Sequence, residues 1–339
     1  MEISRRTPLV LLPAPVDRQE DTTAGDVLEV DDSLDEPTVA PQQSEGVTAV
    51  GTMGEDFAET LGDDRTSDAP IFVGATRRVT FFSLNGGAGR STLATEVAAL
   101  LAARGRCRGH PDDTSAPLRV ALLDLDLRSA NVAVRLGIPQ PTLWDYLNAG
   151  DPRRLDDFLV THRSGLRVLL GPPKPLSTHP ATAEPARIAE VVHQLEREGT
   201  HFIVFDLGAD LGAVTTWVLS AVHDIFVVIT PNASGVQDAY RTTEALRRLG
   251  LGHKLRYVVN RCREQVDLTD TMADLGGRVV ATIPYDPRIE EAENAHRCIT
   301  LDGGGRAAEA IRGLAAQLYP ALSSPPRTGR LNFFRRHAG

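Results

Sequence analysis

Gly86, Gly87 and Gly89 stand just before Ser91 and Thr92 in FFSLNGGAGRSTLATEVAALLAARG, residues 81–105. Glycines at that spacing let successive backbone amides turn toward one anion, and a helix starting near Ser91 adds the positive end of its dipole. A hydroxyl at Ser91, with Thr92 one step on, is the kind of group that holds Mg2+ beside a phosphate chain. Acids supply the rest of such a site. Asp124 and Asp126 close the apolar run of LLDLDLRSANV, and Asp206 closes that of FIVFDLGADLG. A carboxylate at a strand end holds Mg2+ directly or through water. Any one of the three acids would also serve as a helix cap, but three of them beside one glycine turn favour a phosphate and metal site. The strict phosphate-loop pattern GxxxxGK followed by Ser or Thr fails twice, at Leu84 for the first glycine and at Arg90 for the lysine.

These residues need a frame that brings strand ends together. Apolar runs of strand length recur at RVTFFSL, RVALLDLD, LRVLLGP, HFIVFDLG, DIFVVITP, LRYVVN and RVVATIP. Helix-like stretches lie at 91–104, 184–198, 234–249 and 306–319. Continuous apolar strands alternating with amphipathic helices predict an α/β domain over 77–320, a doubly wound, mostly parallel sheet with helices on both faces. Ligands of such sheets bind at the carboxyl ends of the strands, where Asp124, Asp126 and Asp206 fall.

Composition narrows the class. Of 339 residues, 42% are hydrophobic and only 5% aromatic, so Leu, Val, Ile and Ala must build the core. Cys107, Cys262 and Cys298 are far apart, which excludes a disulfide framework and a zinc ribbon and fits a reducing cytoplasm. PLVLLPAPV near the N-terminus is too short and too rich in proline for a secretion signal, and no run reaches the ~20 apolar residues of a membrane span. Residues 1–76 hold 17 acidic and 4 basic side chains against a whole-chain net charge of -9, so the remainder is net positive. That acidic segment lacks hydrophobic periodicity and reads as a disordered, solvated tail, with VLEVDDSLDE and GEDFAETLG as short peptides that would suit a partner. RGRCRGHPDDTSAP reads as a polar surface loop whose Cys107, His110, Asp112 and Asp113 match no metal spacing. After Tyr319, PALSSPPRTG reads as an extended linker, with 321–339 a linker and basic-aromatic tail.

The ordered set of motifs over 77–320 resembles the MinD/ParA family of P-loop ATPases, whose variant loop reads KGGxGK before its Ser or Thr. NGGAGRST is similar to that loop at Gly86, Gly87, Gly89, Ser91 and Thr92, and the resemblance implies that these residues with Ala88 and Arg90 bind the cofactor. DLDLRSAN resembles the family's DxD segment through Asp124, Asp126 and Asn131, and FDLGADLG resembles its Walker B stretch through Asp206. VVNR is similar to the adenine-contacting segment at Asn260, and IPYDPRIEEA to the IPxD segment at Pro284 and Asp286. DLRSANVAVRLGI with TPNASGVQDAYRTTEAL looks closest to the branch that places flagella and pili, the FlhG-like and CpaE/TadZ-like proteins.

The resemblance implies ATP and Mg2+ as ligands, with Ser91, Asp206 and Asp124 serving the metal and Asp126 positioning the attacking water. It also implies a nucleotide-dependent homodimer. Two departures bear on rate. The lysine that reaches across the dimer is Asn85 here, and the lysine on the β- and γ-phosphates is Arg90, a planar fork in place of a compact ammonium. The chain holds only Lys174 and Lys254, so a general drift toward arginine accounts for Arg90 but not for Asn85. A missing cation of this type costs about 10³-fold or more in rate, so slow or absent hydrolysis is expected. The segment HRCI at 296–299 replaces the family's GxP.

The tail GRLNFFRRHAG sets Leu331, Phe333 and Phe334 among arginines and is similar to the membrane-targeting tail of MinD-like proteins, implying a peripheral place at the inner face of the cell membrane and a protein partner in the placed machine. The rival reading is a ParA-like DNA partitioning ATPase, which would use Arg241, Arg247, Arg248, Lys254, Arg256, Arg261 and Arg263 on phosphates. Tyrosine autokinases of the superfamily end in a tyrosine cluster that is missing after Tyr319, and iron–sulfur relatives need cysteines in segments other than those of Cys262 and Cys298.

Overall fold

In the computed structural model, which describes residues 69–72, 74–110, 113–149, 152–172, 183–263 and 274–323, the apolar runs become strands of one sheet. In chain order the first part comprises β1 (Arg77–Phe82), α1 (Arg90–Arg104), β2 (Arg106–Cys107), β3 (Ala116–Pro117), β4 (Val120–Leu125), α2 (Val132–Leu136), α3 (Leu143–Asn148), β5 (Val160–Thr161) and β6 (Arg167–Leu169). The second comprises α4 (Pro185–Arg197), β7 (Phe202–Leu207), α5 (Ala213–Ala221), β8 (Asp224–Ile229), α6 (Ala233–Arg248), β9 (Leu255–Cys262), β10 (Val279–Pro284), α7 (Arg288–Asn294), α8 (Ile299–Asp302) and α9 (Arg306–Leu318). Eight strands pair in the order β10-β9-β8-β1-β7-β4-β6-β5, all parallel except the β5–β6 edge.

Every residue of β4, β7 and β8 is buried, as expected of parallel strands covered on both faces. Alternation along β7 assigns the faces. Phe202 and Val204 pack with α1 and α9, whereas Ile203, Phe205 and Leu207 pack with α4, α5 and α6. The doubly wound sheet expected from the sequence is therefore the fold. Twelve of the 15 residues of α1 are buried, because this Ala- and Leu-rich helix lies between the sheet and α9 and is apolar nearly all round. Helix α4, by contrast, buries one stripe, Ile188, Val191, Val192 and Leu195, and opens with Pro185, which needs no amide partner there. Asn232 caps α6 by accepting the Gly235 amide at 2.7 Å.

All described residues lie in one unit, Thr52–Gly339. Upstream of the boundary expected at 77, Phe72 donates its amide to the Arg108 carbonyl and sets its ring edge-on against His201 and Phe202. Downstream, Pro320–Ser323 forms a 3-10 turn whose Ala321 and Leu322 pack on the core. The polar insertion is also more than a surface loop. Its ends pair as the antiparallel β2–β3 ladder, and Cys107 is buried. No helix among the described residues is long and apolar enough to cross a membrane.

Candidate functional site

The glycine loop links the end of β1 to the start of α1. Gly87 and Gly89 have φ of +78° and +97°, a region glycine enters without steric cost. A Cβ on Gly89 would also lie 2.2 Å from Asn260 Nδ2. No atom lies within 4 Å of where a Cβ would stand on Gly86 or Gly87, and both residues line an open cleft of about 540 Å3. Ala88 instead buries its methyl beneath the loop, and its carbonyl accepts the Asn260 amide at 2.8 Å. Asn260 thus supports the loop from below.

Arg90 opens α1 with only 8% of its surface exposed. Its guanidinium donates Nη1 to the carbonyls of Ser83 (2.7 Å) and Asn85 (2.6 Å) and Nε to that of Leu207 (3.2 Å). The fork therefore binds the end of β1 to the end of β7, and Nη2 is the nitrogen these carbonyls leave over. Burial lowers the Arg90 pKa, while Asp206, Asp126 and Asp210 hold it up. The Asn85 backbone N–H donates to the Ser83 hydroxyl at 3.0 Å.

Beneath the loop lie the strand-end acids. Asp124 and Asp206 are paired in register on β4 and β7, and both are fully buried. Asp124 accepts the amides of Val132 (3.1 Å) and Asp126 (3.2 Å). Burial, and then Asp206, push its carboxyl well above the usual range against those two bonds. Burial likewise pushes Asp206 up to about 6, opposed by the Ser91 hydroxyl and the Arg90 guanidinium. Neither Asp206 oxygen accepts a hydrogen bond of full geometry. A buried carboxylate left so, beside a serine hydroxyl and under a glycine loop, fits a Mg2+ that takes most of its other ligands from phosphate and water. Asp126 lines the cleft and accepts the Arg128 and Ser129 amides at 3.2 and 2.9 Å through one oxygen.

Three arginines line the cleft besides Arg90: Arg128, Arg135 and Arg261. Arg128 and Arg135 follow from no loop motif, and the short α2 that carries Arg135 has too few residues for a periodic signal. Arg135 Nη2 donates to Thr92 Oγ1 and to Glu293 Oε2, each at 2.6 Å. Pro284 ends β10, and Asp286 is engaged by Arg288, whose guanidinium holds its carboxyl below the usual carboxylate range. Neither is among the residues lining the cleft.

The basic residues proposed for DNA enter separate local contacts. Arg261 lines the cleft, and Arg247 donates to the Leu275 carbonyl. Arg241 pairs with Asp238, Arg248 with Glu244 and Arg256 with Asp224. Lys254 donates to the Ser220 carbonyl, and Arg263 lies over the Tyr285 ring. Leu331, Phe333 and Phe334 lie outside the described residues. Among those described, no group of three His, Cys, Asp or Glu side chains gathers as a metal cluster.

Comparison with known proteins agrees with this geometry. The model of the CobQ/CobB/MinD/ParA nucleotide binding domain matches residues 79–299. The chain is 25% identical to the antiactivator FleN of Pseudomonas aeruginosa over 264 residues, 74% of this chain and 88% of FleN. It is 24% identical to the septum site-determining protein MinD of Bacillus subtilis over 241 residues, 69% of this chain and 85% of that MinD. In fold it is similar to the septum site-determining protein MinD of Pyrococcus horikoshii, solved with Mg-ADP, with a TM-score of 0.60, 23% identity and coverage of 73% of this chain and 98% of that one.

Proposed function

The chain belongs to the CobQ/CobB/MinD/ParA family of nucleotide-binding domains, and on that premise we propose that it is an ATP-binding switch or scaffold that hydrolyses ATP slowly or not at all. The observation that carries the reading is the fully buried Asp206 carboxylate beside Ser91 and Arg90, neither of whose oxygens accepts a hydrogen bond of full geometry. In this reading the loop amides and the start of α1 receive the phosphates. Ser91 and Asp206 hold Mg2+, with Asp124 buried behind them. When bound, Mg2+ supplies positive charge to the phosphate oxygens. Asp126 orients water from the cleft side. Thr92 stands at the loop's end, and Arg90 offers Nη2 while its other nitrogens brace the carbonyls. Asn260, Pro284 and Asp286 border the base only by family resemblance, since Asn260 is engaged with Ala88 and Asp286 with Arg288.

Slow turnover follows from the cations. Asn85 brings no charge in trans, and Arg90 is tied to three carbonyls, so the phosphoryl group meets fewer mobile positive groups than a two-lysine loop supplies. The cellular role we favour is placement or assembly of a surface machine such as a pilus or flagellum, through a nucleotide-dependent homodimer, a protein partner and a membrane contact by Leu331, Phe333 and Phe334. It rests on the resemblance of DLRSANVAVRLGI and TPNASGVQDAYRTTEAL to that branch. The test is titration of the whole chain with Mg2+·ATP, following binding and phosphate release, beside Arg90→Lys, Asn85→Lys and the double variant. Binding without turnover, with activity appearing only in the double variant, supports a scaffold. Ordinary turnover in the unaltered chain overturns the slow-hydrolysis reading, and no binding overturns the nucleotide site.

A further inference from the structure

Arg135 stands 43 residues from the glycine loop in sequence and touches it in space. Its side chain is only 12% exposed, and its Nε is buried without a hydrogen-bond partner. Its Nη2 is divided between a neutral hydroxyl on the loop, Thr92, and a carboxylate on α7, Glu293. A guanidinium whose Nε–H is orphaned, with one Nη2 hydrogen spent on a neutral hydroxyl and the other on a carboxylate, is incompletely satisfied for so buried a group. Its fork suits a phosphate oxygen pair better than this arrangement does. Two other cleft arginines differ. Arg128 is 77% exposed and lies 4.0 Å from Asp210, and Arg90 is committed to carbonyls.

We propose, on the reading of this cleft as a phosphate site given above, that Arg135 is a phosphate-binding cation supplied in cis, and that Glu293 is the counter-ion it leaves when nucleotide arrives. The carboxylate and the phosphates compete for one guanidinium, so nucleotide binding frees α7 from α2. Arg135 thereby restores part of the charge that Asn85 does not supply, and couples the loop to the segment after β10. Glu293 is also a negative charge at the cleft, so its neutralisation favours an anionic ligand twice, by releasing Arg135 and by removing repulsion.

Isothermal titration of the whole chain with Mg2+·ATP, Mg2+·ADP and AMP, beside Arg135→Ala, Arg135→Lys and Glu293→Gln, tests this. Arg135→Ala should weaken ATP and ADP by about tenfold to a hundredfold, the range of a charged hydrogen bond, with Arg135→Lys between it and the wild type. Glu293→Gln should tighten ATP by roughly threefold or more, because the competing state is weakened. Hydrogen exchange over 288–294 should rise when ATP binds the wild type and be raised beforehand in Glu293→Gln. If the wild type binds ATP while Glu293→Gln binds it no more tightly, or Arg135→Ala binds it as well as the wild type, the role of Arg135 is overturned and the nucleotide site stands. If the wild type binds none of the three nucleotides, both fall. Should Arg135→Ala fail to fold, the gain in Glu293→Gln decides alone.

Discussion

Asp124 and Asp206 face one another on adjacent parallel strands, in register and fully buried, directly under the glycine loop. Two carboxylates so placed cannot both ionise cheaply without a cation above them. Arg90 supplies part of that charge, and in the proposed site a divalent ion on Asp206 would supply the rest.

The pH dependence follows from Asp206. Its pKa rises from an ordinary 3.8 to about 6 on folding. A raised carboxyl stabilises the fold fully below pH ~4, and that contribution is lost as pH climbs through about 6. Asp206→Asn should therefore raise the melting temperature at pH 7 to 8 and leave it nearly unchanged at pH 4. The same substitution should abolish the Mg2+ dependence of ATP binding, and in the wild type that dependence should fade as pH drops below about 6. A melting temperature for Asp206→Asn that falls at pH 8 would contradict the assignment.

Arg90 acts as a brace as well as a cation. Arg90→Ala leaves the carbonyls of Ser83, Asn85 and Leu207 without their donor and should cost about 2–4 kcal/mol of stability. Arg90→Lys should recover part of this, since one ammonium does not span the ends of two strands as the fork does. Urea titration measures both, and a lysine variant as stable as the wild type would count against the brace.

Gly89 carries two constraints that separate by mutation. Gly89→Ala places a methyl against Asn260 and puts alanine at a φ of +97°, which together should cost about 2–4 kcal/mol. Adding Asn260→Ala removes the clash but not the backbone strain, so the double variant should be more stable than the sum of the two single losses predicts. Strict additivity would mean that the contact is not formed.

Glu96 of α1 anchors the start of α8. Its buried carboxylate accepts the amides of Ile299 (2.9 Å) and Thr300 (3.0 Å) and the Thr300 hydroxyl (2.6 Å). Glu96→Ala orphans the Ile299 and Thr300 amides, while the Thr300 hydroxyl keeps the backbone carbonyl of residue 96, and should destabilise by about 2–4 kcal/mol, whereas Glu96→Gln keeps an acceptor and should cost less. Equal losses for the two would show that the carboxylate itself, rather than side-chain volume or a neutral acceptor, matters there.

The legible part of this protein is what repeats or lies close together in the chain. Strand β7 reads as FIVFDL because a strand covered on both faces must be apolar at every position until its end, so Asp206 marks itself. The glycine loop reads as a loop because its residues are neighbours. The insertion around Cys107 carried no such signal, since its two-residue strands are too short to show alternation and pair only with each other. The basic residues of 241–263 would serve DNA only if they shared a face, which the sequence does not decide, and in the structure most of them are taken up by local partners.

The sequence alone therefore determined the alternation of strands and helices, the edge of the sheet that carries the acids, and the type of ligand that edge would suit. Local chemistry and periodicity carry that information, because each strand's burial is written in its own residues. Only the tertiary structure decided what each charged group does there. Arg90 meets Leu207 because β7 lies beside β1, and Asn260 meets Ala88 because β9 ends beneath the loop. Arg135 meets Thr92 and Glu293 across 43 and 158 residues. Such contacts depend on which strands become neighbours, a choice made by the whole chain's packing and by no single segment of it.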